Sequence, residues 1–271
     1  MEVNHGYMAS FNDLYQLAQY YDIVFRRDVS AEVQFVCDAY MQLNSHAPQS
    51  LLDLACGPGY HARTAAKLGL TAIGLDLRPE MLDLAHSYAE EDGVQVEWMA
   101  ADMRYLQLES PVDVILNVFD GIDCLLTNDD LIAHFRAMSA CLTDGGIYLV
   151  DVSHPRYTSF SHYEKWTYAK ERDGVQVRIN WAINDPVVNP KTSISDTQLE
   201  ILVNHDGESI RIVDRAQERI ISAQEIDLLA RFTDDLHPIG WYGGYDLTCL
   251  LEDNPLAERM IIILQKQTHP S

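Results

Sequence analysis

The sequence predicts an α/β fold: a seven-stranded sheet with helices on both faces and an inserted antiparallel β-layer. Three observations predict it. Residues 50–152 alternate short apolar runs with amphipathic stretches of helical length, residues 163–220 alternate apolar with polar residues, and a helix followed by strands returns after residue 221. Strands separated by helices pair in parallel and are covered on both faces by right-handed crossovers. A chain of 271 residues holds one large α/β domain, or one of average size with an insertion.

The elements follow in order. The first 45 residues read as a helical lid: Asp13–Tyr21, then Ala31–Leu43 with Val33, Phe35, Val36, Tyr40 and Leu43 at helical spacing. These helices are expected to cross the sheet's C-terminal edge or flank it. Strands are expected at Ser50–Cys56, Thr71–Leu77, Val94–Ala101, Val112–Asn117 and Ile147–Val152, with helices at His61–Leu68, Pro79–Glu91 and Thr127–Leu142. Thr127 and Asp130 form a capping-box-like start for the last of these, and Gly145-Gly146 is expected to end it. Residues 155–220 form the inserted layer, an acceptor cap or a dimer interface. In it Val175, Val177, Ile179 and Trp181 alternate after an Asp173-Gly174 turn, and Leu199/Ile201/Val203 pair with Ile210/Ile212 through His205-Asp206-Gly207. Ser222 and Glu225 cap the helix Ala223–Phe232, and strands near Trp241–Thr248 and Arg259–Gln267 complete the seven. Residues 46–154 and 221–271 thus make the main domain.

Composition narrows the function. With 41 acidic against 19 basic residues the net charge is −22, which repels phosphate backbones and argues against nucleic acid as a partner. No apolar run approaches a membrane span, no basic amphipathic helix marks a membrane surface, and no secretory signal pattern opens the chain. The five scattered cysteines lack a C-x-x-C pair, which fits reduced thiols in a cytoplasm and no zinc site.

The informative segment is Leu51-Leu52-Asp53-Leu54-Ala55-Cys56-Gly57-Pro58-Gly59-Tyr60. An apolar strand ends near a carboxylate and runs into Gly-x-Gly before a helix, whose N-terminal N–H groups meet a ligand's polar end. Gly57 to Ala62 also satisfies the dinucleotide pattern G-x-G-x-x-A, and Asp76 at the next strand end suits the ribose of either ligand class. Asp53 separates the readings, because a pyrophosphate would face its negative charge whereas an amino-acid ammonium would welcome it. Asp102, after the third strand, adds a carboxylate where an adenine amino group would lie.

LDLACGPG, GLDLRPEML, AADMRYL and LTDGGIYLVDV resemble the successive motifs of class I S-adenosylmethionine-dependent methyltransferases. VILNVFDGIDCLL and the terminal IGWYGGYDLTCLLEDNPLAERMIIILQK resemble a small-molecule branch, and Tyr20-Tyr21-Asp22 matches the "yYD" before its core. The resemblance implies a Rossmann-like sheet, S-adenosyl-L-methionine as cofactor, and methyl transfer to nitrogen or oxygen of a small-molecule acceptor. It implies that Asp53, Ala55, Gly57 and Gly59 form the methionine-side loop. Asp76 would hold the ribose, Leu77 pack on adenine, and Asp102 and the Met103 N–H bind adenine's edge. Asn117, Val118 and Phe119 would line the methyl-transfer side. Asp123 replaces the branch's usual asparagine.

Candidate catalytic residues are His154, as a base after the fifth strand, Tyr21, and Asp120, which with Asp123 either holds an acceptor amine or caps the following helix. Tyr20, Phe119, Tyr157, Trp166, Trp181, Trp241, Tyr242 and Tyr245 supply rings for an acceptor cage or for packing. Three other functions compete: an NAD-dependent oxidoreductase, a nucleic-acid methyltransferase, which needs a basic face and an N-P-P-Y-type motif that this sequence lacks, and a non-catalytic relative that binds the cofactor. A homodimer through the inserted layer is a further expectation.

Overall fold

The computed structural model describes residues 17–156, 158–159, 162–233 and 235–267. Helices α1 (Ala18–Phe25) and α2 (Ser30–Asn44) precede β1 (Ser50–Leu54), α3 (Tyr60–Lys67), β2 (Thr71–Asp76), α4 (Pro79–Asp92), β3 (Glu97–Ala100) and β4 (Val112–Asn117). A 3₁₀ turn (Gly121–Cys124), α5 (Asn128–Cys141) and β5 (Leu142–Ser153) follow. Short strands β6 (Thr158–Ser159) and β7 (His162–Tyr163) lead into β8 (Thr167–Arg172), β9 (Val175–Trp181), β10 (Ile194–His205) and β11 (Glu208–Arg219). Helix α6 (Ala223–Arg231), β12 (Leu236–Tyr242) and β13 (Arg259–Lys266) come last.

The main sheet has seven strands in the order β3-β2-β1-β4-β5-β13-β12, with β13 antiparallel to both of its neighbours. β1 shows why the sheet must be covered twice: Leu51, Leu52 and Leu54 are all fully buried, so apolar side chains leave both faces. Leu51 meets Val33, Val36 and Tyr40 of α2, while Leu52 and Leu54 meet the layer that holds Phe135, Met138 and Ile226. Each such side chain contributes about 1.5–3 kcal/mol when buried. Strand order reverses between β1 and β4, and this opens a crevice at their C-terminal ends.

The second sheet has the order β11-β10-β9-β8, antiparallel throughout. Both hairpins turn on the expected Asp-Gly pairs, Asp173-Gly174 and Asp206-Gly207, with positive φ at all four residues. That is the type I′ geometry that matches strand twist. The two N-terminal helices have different partners: α2 covers the main sheet, whereas Ile23 and Val24 of α1 pack under the second sheet against Ile179, Ile201 and Val203.

Several boundaries differ from expectation. α1 runs on to Phe25, and residues 13–16 of the expected first helix lie outside the described residues. Gly145-Gly146 does not end α5: Leu142 turns directly into β5, and the glycines sit where the β4–β5 register jumps from Val112↔Leu142 to Val114↔Ile147. The strand expected at Trp241–Thr248 is instead Leu236–Tyr242, with Pro238 and Gly240 at a bulge. Both end caps hold: Thr127 accepts from the Asp130 N–H, and Ser222 and Glu225 form a complete capping box.

Candidate active site

The turn after β1 carries positive φ at Ala55, Gly57 and Gly59, three left-handed residues within five. Asp76, at the end of β2, holds this turn in place. Its Oδ2 accepts the Gly57 N–H at 2.8 Å and its Oδ1 the Arg78 N–H at 2.8 Å. Asp53 accepts the Ala62 N–H from the first turn of α3 at 3.1 Å through Oδ2, while its buried Oδ1 has no partner among the described residues. Burial pushes the Asp53 carboxyl up to about 6 against the opposing pull of His61. A buried carboxylate with a spare acceptor beside a glycine turn fits a ligand that carries a positive polar end.

The two glycines face different ways. A Cβ on Gly57 would lie 3.9 Å from the Tyr21 ring, on the open side of the turn. A Cβ on Gly59 would fall 2.3 Å from Trp98, and one on Gly74 only 2.2 Å from the same indole. On its Cβ side Gly59 answers to Trp98 of β3, where only a glycine admits the ring.

The turns after β1 and β4 touch. A Cβ on Gly121 would lie 3.3 Å from that of Ala55 and 2.7 Å from Asn117 Oδ1. Fully buried Asn117 donates to Met103 Sδ at 3.5 Å, which joins the end of β4 to the loop after β3. Leu77 is 64% exposed at the mouth. Asp102 is engaged by Arg104, which bonds both its oxygens and also reaches Asp130 at the start of α5.

The family profile described as a methyltransferase domain matches residues 51–146. Over those residues the chain is similar to a methyltransferase domain. A putative methyltransferase of Geobacillus sp. (strain WCH70) is 30% identical over 118 residues, 44% of this chain and 48% of that protein. A dTDP-3-amino-3,4,6-trideoxy-alpha-D-glucopyranose N,N-dimethyltransferase of Streptomyces venezuelae is 26% identical over 189 residues, 68% of this chain and 72% of that protein. Across the first three relatives the match spans 39–63% of their own length. The crystal structure of an S-adenosylmethionine-dependent methyltransferase from Clostridium acetobutylicum superposes with a TM-score of 0.77 at 20% identity, over 95% of this chain and 100% of that one. At that identity the likeness is one of fold.

Around this turn the catalytic candidates separate. Tyr21 stands over the glycine turn, and its ring continues through Phe25 (4.5 Å between centroids) to Phe119 (5.7 Å) and Tyr168 (5.1 Å). Phe119 and Asp120 both have positive φ, a strained pair that the end of β5 holds in place. The Phe119 N–H donates to Asp151 Oδ2 at 3.1 Å, and Asp120 accepts the Ser153 N–H at 2.5 Å. Arg259 of β13 donates to Asp120 at 3.0 Å and to Asp151 at 2.5 Å. Burial works against the Arg259 charge, but these two carboxylates hold its ionisation above the usual range. The charge of Asp120 is thus spent on fixing the loop. His154 stands apart: its N–H donates to the Glu258 carbonyl at 2.7 Å and its ring lies against Arg156. Burial and that guanidinium lower its pKa and favour the neutral ring. Tyr157 lies outside the described residues.

Sequence reasoning missed four buried anchors. Asp22, fully buried, accepts from Tyr60 Oη at 2.7 Å, from Tyr88 Oη at 2.8 Å, and from Arg172 of the second sheet. It ties α1, α3, α4 and β8 together. Burial alone would raise its pKa, and these hydrogen bonds hold it below the usual carboxylate range. Glu32 of α2 meets His61 Nε2 at 2.5 Å and takes Arg27 as well. His134 bridges the Met103 carbonyl (3.1 Å) and Tyr148 Oη (2.7 Å) beneath the sheet. Asp151 receives Tyr245 Oη at 2.8 Å in addition to Phe119 and Arg259. The signal available for Asp22 and Asp151 was an acid inside an apolar run, Tyr21-Asp22-Ile23 and Val150-Asp151-Val152.

Proposed function

We propose that this protein is an S-adenosyl-L-methionine-dependent methyltransferase that methylates nitrogen or oxygen of a small molecule. The observation that carries this reading is the buried, half-unpartnered Asp53 beside the left-handed Ala55–Gly57 turn at the switch point of the sheet, inside the matched methyltransferase domain. The donor set fits the cofactor: Asp53, Ala55 and Gly57 face its amino-acid end, Asp76 its ribose, and Leu77, Asp102 and Met103 its adenine. Asp76 keeps lone pairs for a ribose although it already holds two backbone N–H groups.

Held by Asp53, Ala55, Gly57 and Asp76, the cofactor would supply an activated methyl group on a sulfonium. The protein's own task is to align and to exclude water, which supplies about 7–11 kcal/mol in well-oriented reactions. Tyr21, Phe25, Phe119 and Asn117 form that dry wall. Asp120 positions the Phe119 turn through Ser153 and Arg259. His154, neutral and at the end of β5, is assigned to proton removal where the acceptor is a hydroxyl. The lid of α1 and the second sheet close over the acceptor as a unit, joined by Asp22 and Arg172. A net charge of −22 and the lack, among the described residues, of a helix long and apolar enough to cross a membrane support a free small-molecule acceptor in the cytoplasm.

Calorimetric titration with S-adenosylmethionine, S-adenosylhomocysteine and NAD, on wild type and Asp76→Ala, tests the reading. Binding of both adenosyl ligands, lost in the variant, is the expected result; binding of NAD alone sinks it in favour of an oxidoreductase.

A further inference from the structure

The buried face of β10 changes character along its length. Leu199, Ile201 and Val203 pack on Ile23 and Val24 of α1, but the two preceding inward positions are the fully buried hydroxyls of Thr197 and Ser195. Ser195 pairs in register with Glu218 of β11. A sheet face packed only on protein has no physical reason to trade apolar side chains for hydroxyls and a carboxylate.

Glu218 takes three donors on a single oxygen. Tyr163 Oη, Trp181 Nε1 (3.4 Å) and Thr197 Oγ1 (3.3 Å) all point at its Oε2, which fixes the carboxyl and leaves Oε1 free of hydrogen bonds among the described residues. β11 packs at this end on the 3₁₀ turn of the main domain, and Arg219 anchors it there through the Leu126 carbonyl and Asn128. That turn carries Asp123, whose Oδ1 is shut off from solvent with no hydrogen-bond partner among the described residues. Burial raises the pKa of both acids, Glu218 repels Asp123, and Asp120 repels Glu218. Asp120 and Asp151 repel Asp123 further, and the cation facing this group is Arg259, already spent on those two. Arg27 lies near Asp151 but is committed to Glu32. Tyr168 closes the side toward Phe25. Three carboxyls thus share one guanidinium with Glu218 beside them, and an added cation with hydrogens to donate is what this group lacks.

We infer that Asp123 and Glu218 form the acceptor subsite and take the ammonium of a small primary or secondary amine, which makes this an N-methyltransferase. This rests on the methyltransferase reading and names its substrate class. The bound ammonium passes one proton to the carboxylate pair; the amine's lone pair is then free, and the pair holds the proton as a carboxyl. Tyr163, Trp181 and Thr197 set the direction of Glu218, so the second sheet supplies half of the subsite.

Titrating the protein with cyclohexylamine and with cyclohexanol at neutral pH, each with and without S-adenosylhomocysteine, tests it, since the two probes share shape and differ in charge. The amine is expected to bind about tenfold or more tighter than the alcohol, the worth of one charge-assisted hydrogen bond. In Glu218→Gln and Asp123→Asn that ratio falls toward one while affinity for S-adenosylhomocysteine stays unchanged. An alcohol that binds as well as the amine, an amine that does not bind, or discrimination that survives both substitutions overturns the inference. Should a variant fail to fold, the wild-type ratio alone decides. Lost S-adenosylhomocysteine binding in wild type overturns the methyltransferase reading instead, so the two failures are told apart.

Discussion

The glycine turn and the acidic wall lie at the two ends of the aromatic run from Tyr21 through Phe25 to Tyr168, yet they draw on the chain in opposite ways. The turn takes Asp53, Ala55, Gly57 and Asp76 from two consecutive strand ends, and its geometry follows from local backbone needs. The wall takes Asp123 from the 3₁₀ turn and Glu218 from the last strand of the second sheet, and nothing near either in sequence announces the other. A cofactor that many proteins share is met by a local motif, whereas an acceptor peculiar to one protein is met by contacts between distant segments.

Asp22→Ala tests whether the two regions are held as one body. It strips a fully buried carboxylate from Tyr60, Tyr88 and Arg172, and is expected to cost about 3–5 kcal/mol, the range for breaking a buried ion pair. Denaturant unfolding checks it, with a second transition for the four-stranded sheet if the core survives alone. Unchanged stability would mean that the apolar packing of Ile23 and Val24 suffices to join them.

The next largest effect belongs to the main domain alone. Burial lowers the His134 pKa to about 4, from 6.5 when unfolded, so between those values the unfolded chain binds the proton more tightly. Stability from this group is present above pH 6.5 and is lost as pH falls toward 4, on the order of 3 kcal/mol in all. Asp53 acts in the opposite sense: its carboxyl is raised to about 6 from 3.8, and the native state gains stability as pH falls through that window. Unfolding curves at pH 7 and pH 4.5 should show a smaller acid loss in His134→Gln than in wild type, and a larger one in Asp53→Asn.

Gly74→Ala probes how local the glycine turn is. Its new Cβ would meet Trp98 at 2.2 Å, and the displaced indole would press on Gly59. The expected loss is about 1–3 kcal/mol, with weaker binding of S-adenosylhomocysteine. Unchanged affinity would show that the turn is set without Trp98. The smallest effect is a gain: Ala55 sits at φ +50, and Ala55→Gly should add about 0.5–1 kcal/mol by relieving a left-handed alanine, read as a higher Tm.

Much of the fold was legible because its signals are local. Leu51-Leu52 with Leu54 marks a strand buried on both faces, Ser222 with Glu225 a capped helix, and Asp173-Gly174 a type I′ hairpin. Where such signals pointed wrongly, a longer-range demand prevailed. Gly145-Gly146 reads as a helix end but serves the register jump between β4 and β5. Asp120 reads as an acid that holds an acceptor amine or caps the next helix, yet Arg259 pairs with it from the far end of the chain.

The sequence by itself determined the alternating α/β order, the hairpins of the second sheet and the carboxylate-flanked glycine turn, because periodicity, capping and backbone strain act over a few neighbouring residues. Tertiary packing alone put α1 under the second sheet, let Asp22 lock it there, and brought the strand that carries Glu218 against the turn that carries Asp123. Those outcomes depend on which buried charges and apolar faces meet, and burial is a property of the assembled chain.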